Sequence, residues 1–157
     1  MSPWIDLDRQ SLLVNVAASV PLGELESALG NEGLSLDIDM TARQTSVGDW
    51  IEAGAPGARN AWLDPADHLI AGFSARIRST GAGFAIHPGP RRAVGPDLGS
   101  LLSGMRGRWL QLDSVWLRVH LLIGHAPRPK TAPFEGDDPA LDPSETALLE
   151  AIDEALR

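Results

Sequence analysis

Seven arginines fall between positions 76 and 118 (Arg76, Arg78, Arg91, Arg92, Arg106, Arg108 and Arg118), against two acids in the same stretch, Asp97 and Asp113, a local charge of +5. Guanidinium groups at that density can hold a carboxylate or a phosphate, or can form a solvated basic face. Both readings stay open, because 12 of the 13 basic residues are Arg wherever they fall, as compositional bias alone would produce. The four histidines, His68, His87, His120 and His125, have no metal-ligand spacing; His120 and His125 lie five apart across a strand end. Asp64 and Asp67, three apart, have the residue types of an acid–base pair but fit a loop or helix cap better. With no Cys in the chain, thiolate nucleophiles, disulfides, Cys-bound zinc and Fe–S clusters are excluded. No nucleophile elbow or phosphate-binding glycine loop occurs, and Gly81-Ala82-Gly83 precedes a strand and lacks a third glycine, so it reads as a turn. No catalytic residue and no metal ligand is nominated.

The chain has 157 residues, one domain's length, enough to bury about 68–70% of its unfolded surface. Its net charge of −8 is unevenly spread. From Thr131 to Arg157 there are eight acids and one base, a net −7, which leaves the first 130 residues at −1. An acidic balance without a basic stripe interleaved with aromatics argues against a nucleic-acid partner. Two acids in the first ten residues and no long apolar run argue against a secretion signal or a membrane span, so a soluble, cytoplasmic protein is expected.

Periodicity defines the elements that would position these groups. Residues 12–18 alternate as a half-buried strand. Pro21 opens a helix with Leu22, Leu25 and Leu29 on one face and a stop at Gly33. A short strand is predicted over Leu34 to Ile38. Ser46 caps a short helix with Asp49 in its first turn, ended by Gly54, Pro56 and Gly57. A strand from His68 to Ser79 turns through Gly81-Ala82-Gly83 into Phe84-Ala85-Ile86, a hairpin. A helix is expected over Pro96 to Met105. The last strand carries Val115, Leu117, Val119 and Leu121 on one face. Separated helices and more numerous strands imply an α+β fold, with a mostly antiparallel or mixed sheet and short helices on one face.

From Gly124 to Pro143 five prolines and no periodicity mark an acidic linker. Asp142 and Pro143 then start a helix whose Leu148, Leu149, Ile152 and Leu156 form one apolar stripe, too short to be stable undocked. The expected organisation is a domain over 1–123, a linker over 124–143 and an amphipathic helix over 144–157. That helix either folds back on its own sheet or docks on a partner. Its acidic charge and the length of the linker would also let it reach the Arg cluster of the same chain.

The succession of segments resembles a known family. Ile5 to Arg9, Leu13 to Leu29 and Gly33 to Leu36, then Thr45 to Gly57, Asp67 to Gly72, Arg91 to Leu98, Leu101 to Gly107 and Leu112 to Val119, are similar in order and spacing to the second half of the FAD-binding domain of vanillyl-alcohol-oxidase-type (PCMH-type) flavoproteins. The pattern is nearest that of the glycolate oxidase FAD-binding subunit. The resemblance implies that Val47, Gly48, Arg91, Arg92, Gly104, Gly107 and Gln111 would face FAD, if FAD binds.

Four departures accompany the resemblance. The family's pyrophosphate-cradling subdomain would lie before residue 1. Asp49 stands at the second glycine of the family's Val-Gly-Gly segment, a carboxylate where backbone should approach an anion. Leu110 replaces a glycine of the closing segment, and no substrate cap follows Leu122. The expectation is a truncated, degenerate FAD-binding-type domain that acts as a non-catalytic subunit, associating with a partner or with itself and holding no cofactor alone. Two alternatives are a subunit of a split FAD-dependent oxidoreductase whose pyrophosphate loop comes from another chain, and a binding domain for a small anionic ligand.

Overall fold

A five-stranded antiparallel sheet is built around β6 (Leu110–Arg118), which lies between β2 (Leu13–Ala17) and β4 (Ile70–Ile77). β1 (Ile5–Asp8) closes one edge and β5 (Gly83–Ile86) the other, in the order β1-β2-β6-β4-β5. The computed structural model describes residues 5–38, 45–58, 68–89, 98–99, 101–122 and 143–155, and side chains within the last segment only from 146. Asp64, Asp67, Arg91, Arg92, Pro96, Asp97, Leu156 and the predicted linker up to residue 142 lie outside the described residues.

Alternation decides which face is buried. Val14 pairs with Leu117 and Val16 with Val115, and Val115 pairs on its other side with Phe73; all five are buried. α1 (Leu22–Asn31) and α2 (Val47–Glu52) cover that face with Leu22, Leu25, Leu29, Val47, Trp50 and Ile51, all buried in the same cluster. Each such large side chain contributes about 1.5–3 kcal/mol on burial, so this layer is the main source of stability. The opposite face is polar: Ser74 and Ser114 hydrogen-bond across strands at 2.8 Å, and Arg76 grips Asp113 with Nε at 3.0 Å and Nη2 at 2.7 Å.

Pro21 stands at the N-cap of α1 with extended backbone, one position before the first helical residue. The last turn of α1 ends at Gly33, whose φ of +72° only glycine adopts without strain. The strand expected over Leu34 to Ile38 is only two residues long. β3 (Leu34–Ser35) pairs with β7 (His120–Leu121) in a separate two-stranded sheet. It stops because Glu26 of α1 takes over the role of a neighbouring strand. The buried Glu26 carboxylate accepts from the Leu36 backbone N–H at 2.7 Å and from Ser35 Oγ at 3.1 Å, and Ser35 Oγ in turn accepts from the Asp37 N–H at 2.8 Å.

Three further segments differ from expectation. β1 was not foreseen. The described part of the expected 96–105 helix is a run of turns, tied by Leu101 N–H to Leu98 O and Ser103 N–H to Gly99 O. The closing strand begins five residues earlier, at Leu110, and after Val119 the chain leaves the main sheet for β3, so Leu121 is 54% exposed and is no part of the apolar face. The C-terminal helix, α3 (Pro143–Ala155), forms.

Replacing Glu26 by Ala leaves the Leu36 N–H and the Ser35 hydroxyl without their acceptor, at a cost of about 1–3 kcal/mol. Melting followed by circular dichroism should fall by about 2–4 °C per kcal/mol, less for Glu26→Gln, which keeps one acceptor. An unchanged Tm for Glu26→Ala contradicts this role. Gly72→Ala should lower Tm further, because a Cβ there runs into the Ile86 carbonyl oxygen and crowds Pro88 N at 3.0 Å.

Candidate functional site

α2 is seated by its first turn. Ser46 Oγ accepts from the Asp49 N–H at 3.1 Å, and Val47 and Gly48 donate their N–H groups to Val20 O (2.9 Å) and Ala18 O (2.8 Å). A Cβ on Gly48 would stand 3.0 Å from Ala18 Cβ and 3.1 Å from its carbonyl oxygen, so this glycine is needed for the chain's own backbone to close on β2. Val47 is fully buried beside it. Asp49 points outward, accepting from Ser46 Oγ at 2.6 Å, so that a carboxylate sits on the first turn of α2.

At the other end of α2, Glu52 meets the glycine turns that precede β6. Its backbone oxygen accepts from the Arg106 N–H at 2.8 Å. A Cβ on Gly107 would lie 2.5 Å from Glu52 Oε2 and 2.8 Å from Arg78 Nη2, which brings Glu52, Arg78 and Gly107 together at one corner. Burial pushes the Glu52 carboxyl above its ordinary range and nearby Asp49 pushes the same way, while a backbone hydrogen bond from Leu112 and the charge of Arg78 pull it down. Gly104 is exposed with φ +76° and lies against Gly54. Gln111 is exposed on β6 opposite Arg76, away from the Gly48 contact.

Of the residues the resemblance assigns to FAD, the structure thus places Val47 and Gly48 at one end of α2, Gly104 and Gly107 in turns near its other end, and Gln111 on the sheet. Arg91 and Arg92 lie outside the described residues. A Cβ on Gly48 would meet Ala18 and one on Gly107 would meet the side-chain ends of Glu52 and Arg78, whereas a Cβ on Gly104 would meet nothing within 4 Å. Asp49 and Glu52 place two carboxylates on the short helix α2.

A second cluster was not foreseen as a site. Arg108 and Trp109, adjacent in sequence, converge on Asp153 of α3: Arg108 Nη2 donates to Oδ2 at 2.5 Å, Arg108 Nε to Oδ1 at 3.3 Å, and the Trp109 indole N–H also to Oδ1. Trp109 is only 5% exposed, so its indole N–H has been taken out of water and requires this acceptor. Arg108 also stacks on the indole ring, 5.7 Å from its centroid. Leu149 and Ile152, two of the predicted docking residues, are half-buried against the core of the same chain, and Leu148 is 62% exposed. The one sequence signal for this contact is the opposite charge of the tail and the Arg-rich stretch.

Among the described residues, no three His, Asp or Glu side chains gather as a metal site, and no helix is long and apolar enough to cross a membrane. No protein-family profile and no curated protein matches the sequence. Solved structures do. The chain is similar to alkyldihydroxyacetonephosphate synthase in a P212121 crystal form, with 17% identity and a TM-score of 0.60 over 74% of this chain and 20% of that one. The P1 form of the same enzyme gives 16% identity and a TM-score of 0.59 over 74% of this chain and 21% of that one. The chain spans about a fifth of these neighbours' length. At such identity the likeness is one of fold: the chain has the α+β fold, with a largely antiparallel sheet, of the PCMH-type FAD-binding domain.

Proposed function

We propose that this chain is a degenerate, non-catalytic form of the FAD-binding fold, working by association with a protein partner or a second copy and not by flavin chemistry. The observation that carries this reading is the pair of carboxylates on α2. Asp49 and Glu52 are three residues apart, neighbours on one helix face, and lie at the element the resemblance sets against an anionic cofactor. Burial first, and Asp49 in addition, push the Glu52 carboxyl up against the pull of the Leu112 backbone hydrogen bond and the Arg78 charge, so an anion at this face would meet two carboxylates and one guanidinium. The close neighbours of Gly48 (Ala18) and of Gly107 (Glu52 and Arg78) support the same reading, since two of the three glycines the resemblance sets against FAD have the chain's own atoms beside them, while Gly104 stays open.

Purified chain mixed with excess FAD and desalted should carry no visible flavin absorbance, and chain isolated from cells should carry none. Bound flavin in the lone chain overturns the reading. Flavin retained only in a complex with a second polypeptide favours the split-oxidoreductase alternative. A companion test uses Gly107→Ala, whose Cβ meets Glu52 and Arg78 at a φ of +68°. It should lower the Tm of the flavin-free chain, costing about 1–2 kcal/mol from the left-handed backbone alone. A Tm equal to wild type contradicts the left-handed backbone at Gly107.

A further inference from the structure

The Arg108–Trp109 corner is a built seat for a carboxylate on an apolar helix. Three N–H donors from two adjacent residues converge on one carboxylate, one of them on a side chain more than nine-tenths buried. Beside it the body receives Leu149 and Ile152. Here the occupant is α3, a helix of 13 residues, too short to be stable off the seat. Twenty residues, 123–142, separate Leu122 from the start of α3. A random coil of twenty residues would span about 22–27 Å, a reach that corresponds to an effective concentration of about millimolar for α3 at its own seat.

We propose that this seat is exchangeable and that its occupant in trans is α3 of a second copy of this chain, giving a dimer in which each copy's helix docks on the other's Arg108 and Trp109. The proposal rests on the association reading above and names its partner. Every contact of the intramolecular seat is reproduced in the exchanged dimer, so the equilibrium is set by chain concentration and by what the new contact between copies buries. Among the described residues the exposed large hydrophobics are Leu121 (54%), Leu122 (49%) and Leu148 (62%). They flank the connecting segment in sequence, on its two sides, which is where two copies exchanging that segment meet. In an unexchanged chain they remain in water.

Charge reversal separates the two arrangements. In Arg108→Asp the seat repels its own Asp153, and in Asp153→Arg the helix repels its own Arg108, so each variant alone should release α3 and sediment as a monomer of 16.7 kDa. Mixed one to one, the helix of the first finds a native seat on the second, and the mass should double. A mixture that stays monomeric up to millimolar protein overturns the proposal. Near-UV circular dichroism of the tryptophans reports whether each variant keeps its fold. If either does not, sedimentation of wild-type chain decides: dimer growing toward millimolar concentration supports exchange, and monomer throughout overturns it. A monomeric result with no flavin bound removes the exchange alone, whereas bound flavin removes the association reading whatever the masses.

Discussion

The close approach of Gly48 to Ala18 is the contact on which the rest of this molecule depends. A Cβ on Gly48 would stand 3.0 Å from Ala18 Cβ, so glycine gives the closest fit for the first turn of α2 as it donates to Ala18 O and Val20 O and Val47, Trp50 and Ile51 are pressed into the core. Once α2 is fixed at that end, Glu52 is carried about 6 Å along the helix axis to the glycine turns before β6. There its backbone oxygen receives the Arg106 N–H, and its carboxylate fills the space beside Gly107. Those turns hand the chain to Arg108 and Trp109, and they in turn seat α3. A packing contact in the core is thereby connected, step by step, to the corner where Arg108 and Trp109 hold a carboxylate 45 residues away.

In a glycine-rich site each missing Cβ is space for a ligand or for the protein itself. Here Ala18 uses the space at Gly48, and Glu52 with Arg78 uses the space at Gly107. The charges follow suit: Arg76 is held by Asp113 and Arg108 by Asp153. These are partly exposed pairs, each worth little as an isolated ion pair. Trp109 changes that weighting for the second pair, because its buried N–H loses its acceptor if Asp153 leaves.

Much of this fold was legible in the sequence, for reasons tied to particular residues. β2, α1, the β4–β5 hairpin and most of β6 announce themselves because their apolar side chains repeat at the period of the element. The Ser46 cap was legible because it acts over three residues. β1 was missed because Ile5 and Leu7 are two apolar positions between acids, too short a pattern to stand out. The second short strand was overdrawn because a helix carboxylate, Glu26, replaces the backbone partner that Leu36 would otherwise need. Leu121 extends the alternation of β6 on paper, but the chain changes sheets at Val119. The site was harder. Asp153 and Arg108 are 45 residues apart, and nothing local selects that pair from the other acids of the tail. Glu52 looks like a solvated acid at a helix end until the glycine turn is folded over it.

Two features join the core to the α3 corner: the chain's own groups lie beside Gly48 and Gly107, and Asp153 holds the Trp109 N–H. The most direct measurement is a nitrogen–proton NMR spectrum of the full chain titrated with FAD, together with the spectrum of Asp153→Asn. The account predicts Gly48 and Gly107 amide signals that do not move with FAD, and a Trp109 indole signal that shifts when Asp153 is replaced. Saturable movement of the two glycine amides with FAD, or an indole signal indifferent to residue 153, would contradict it.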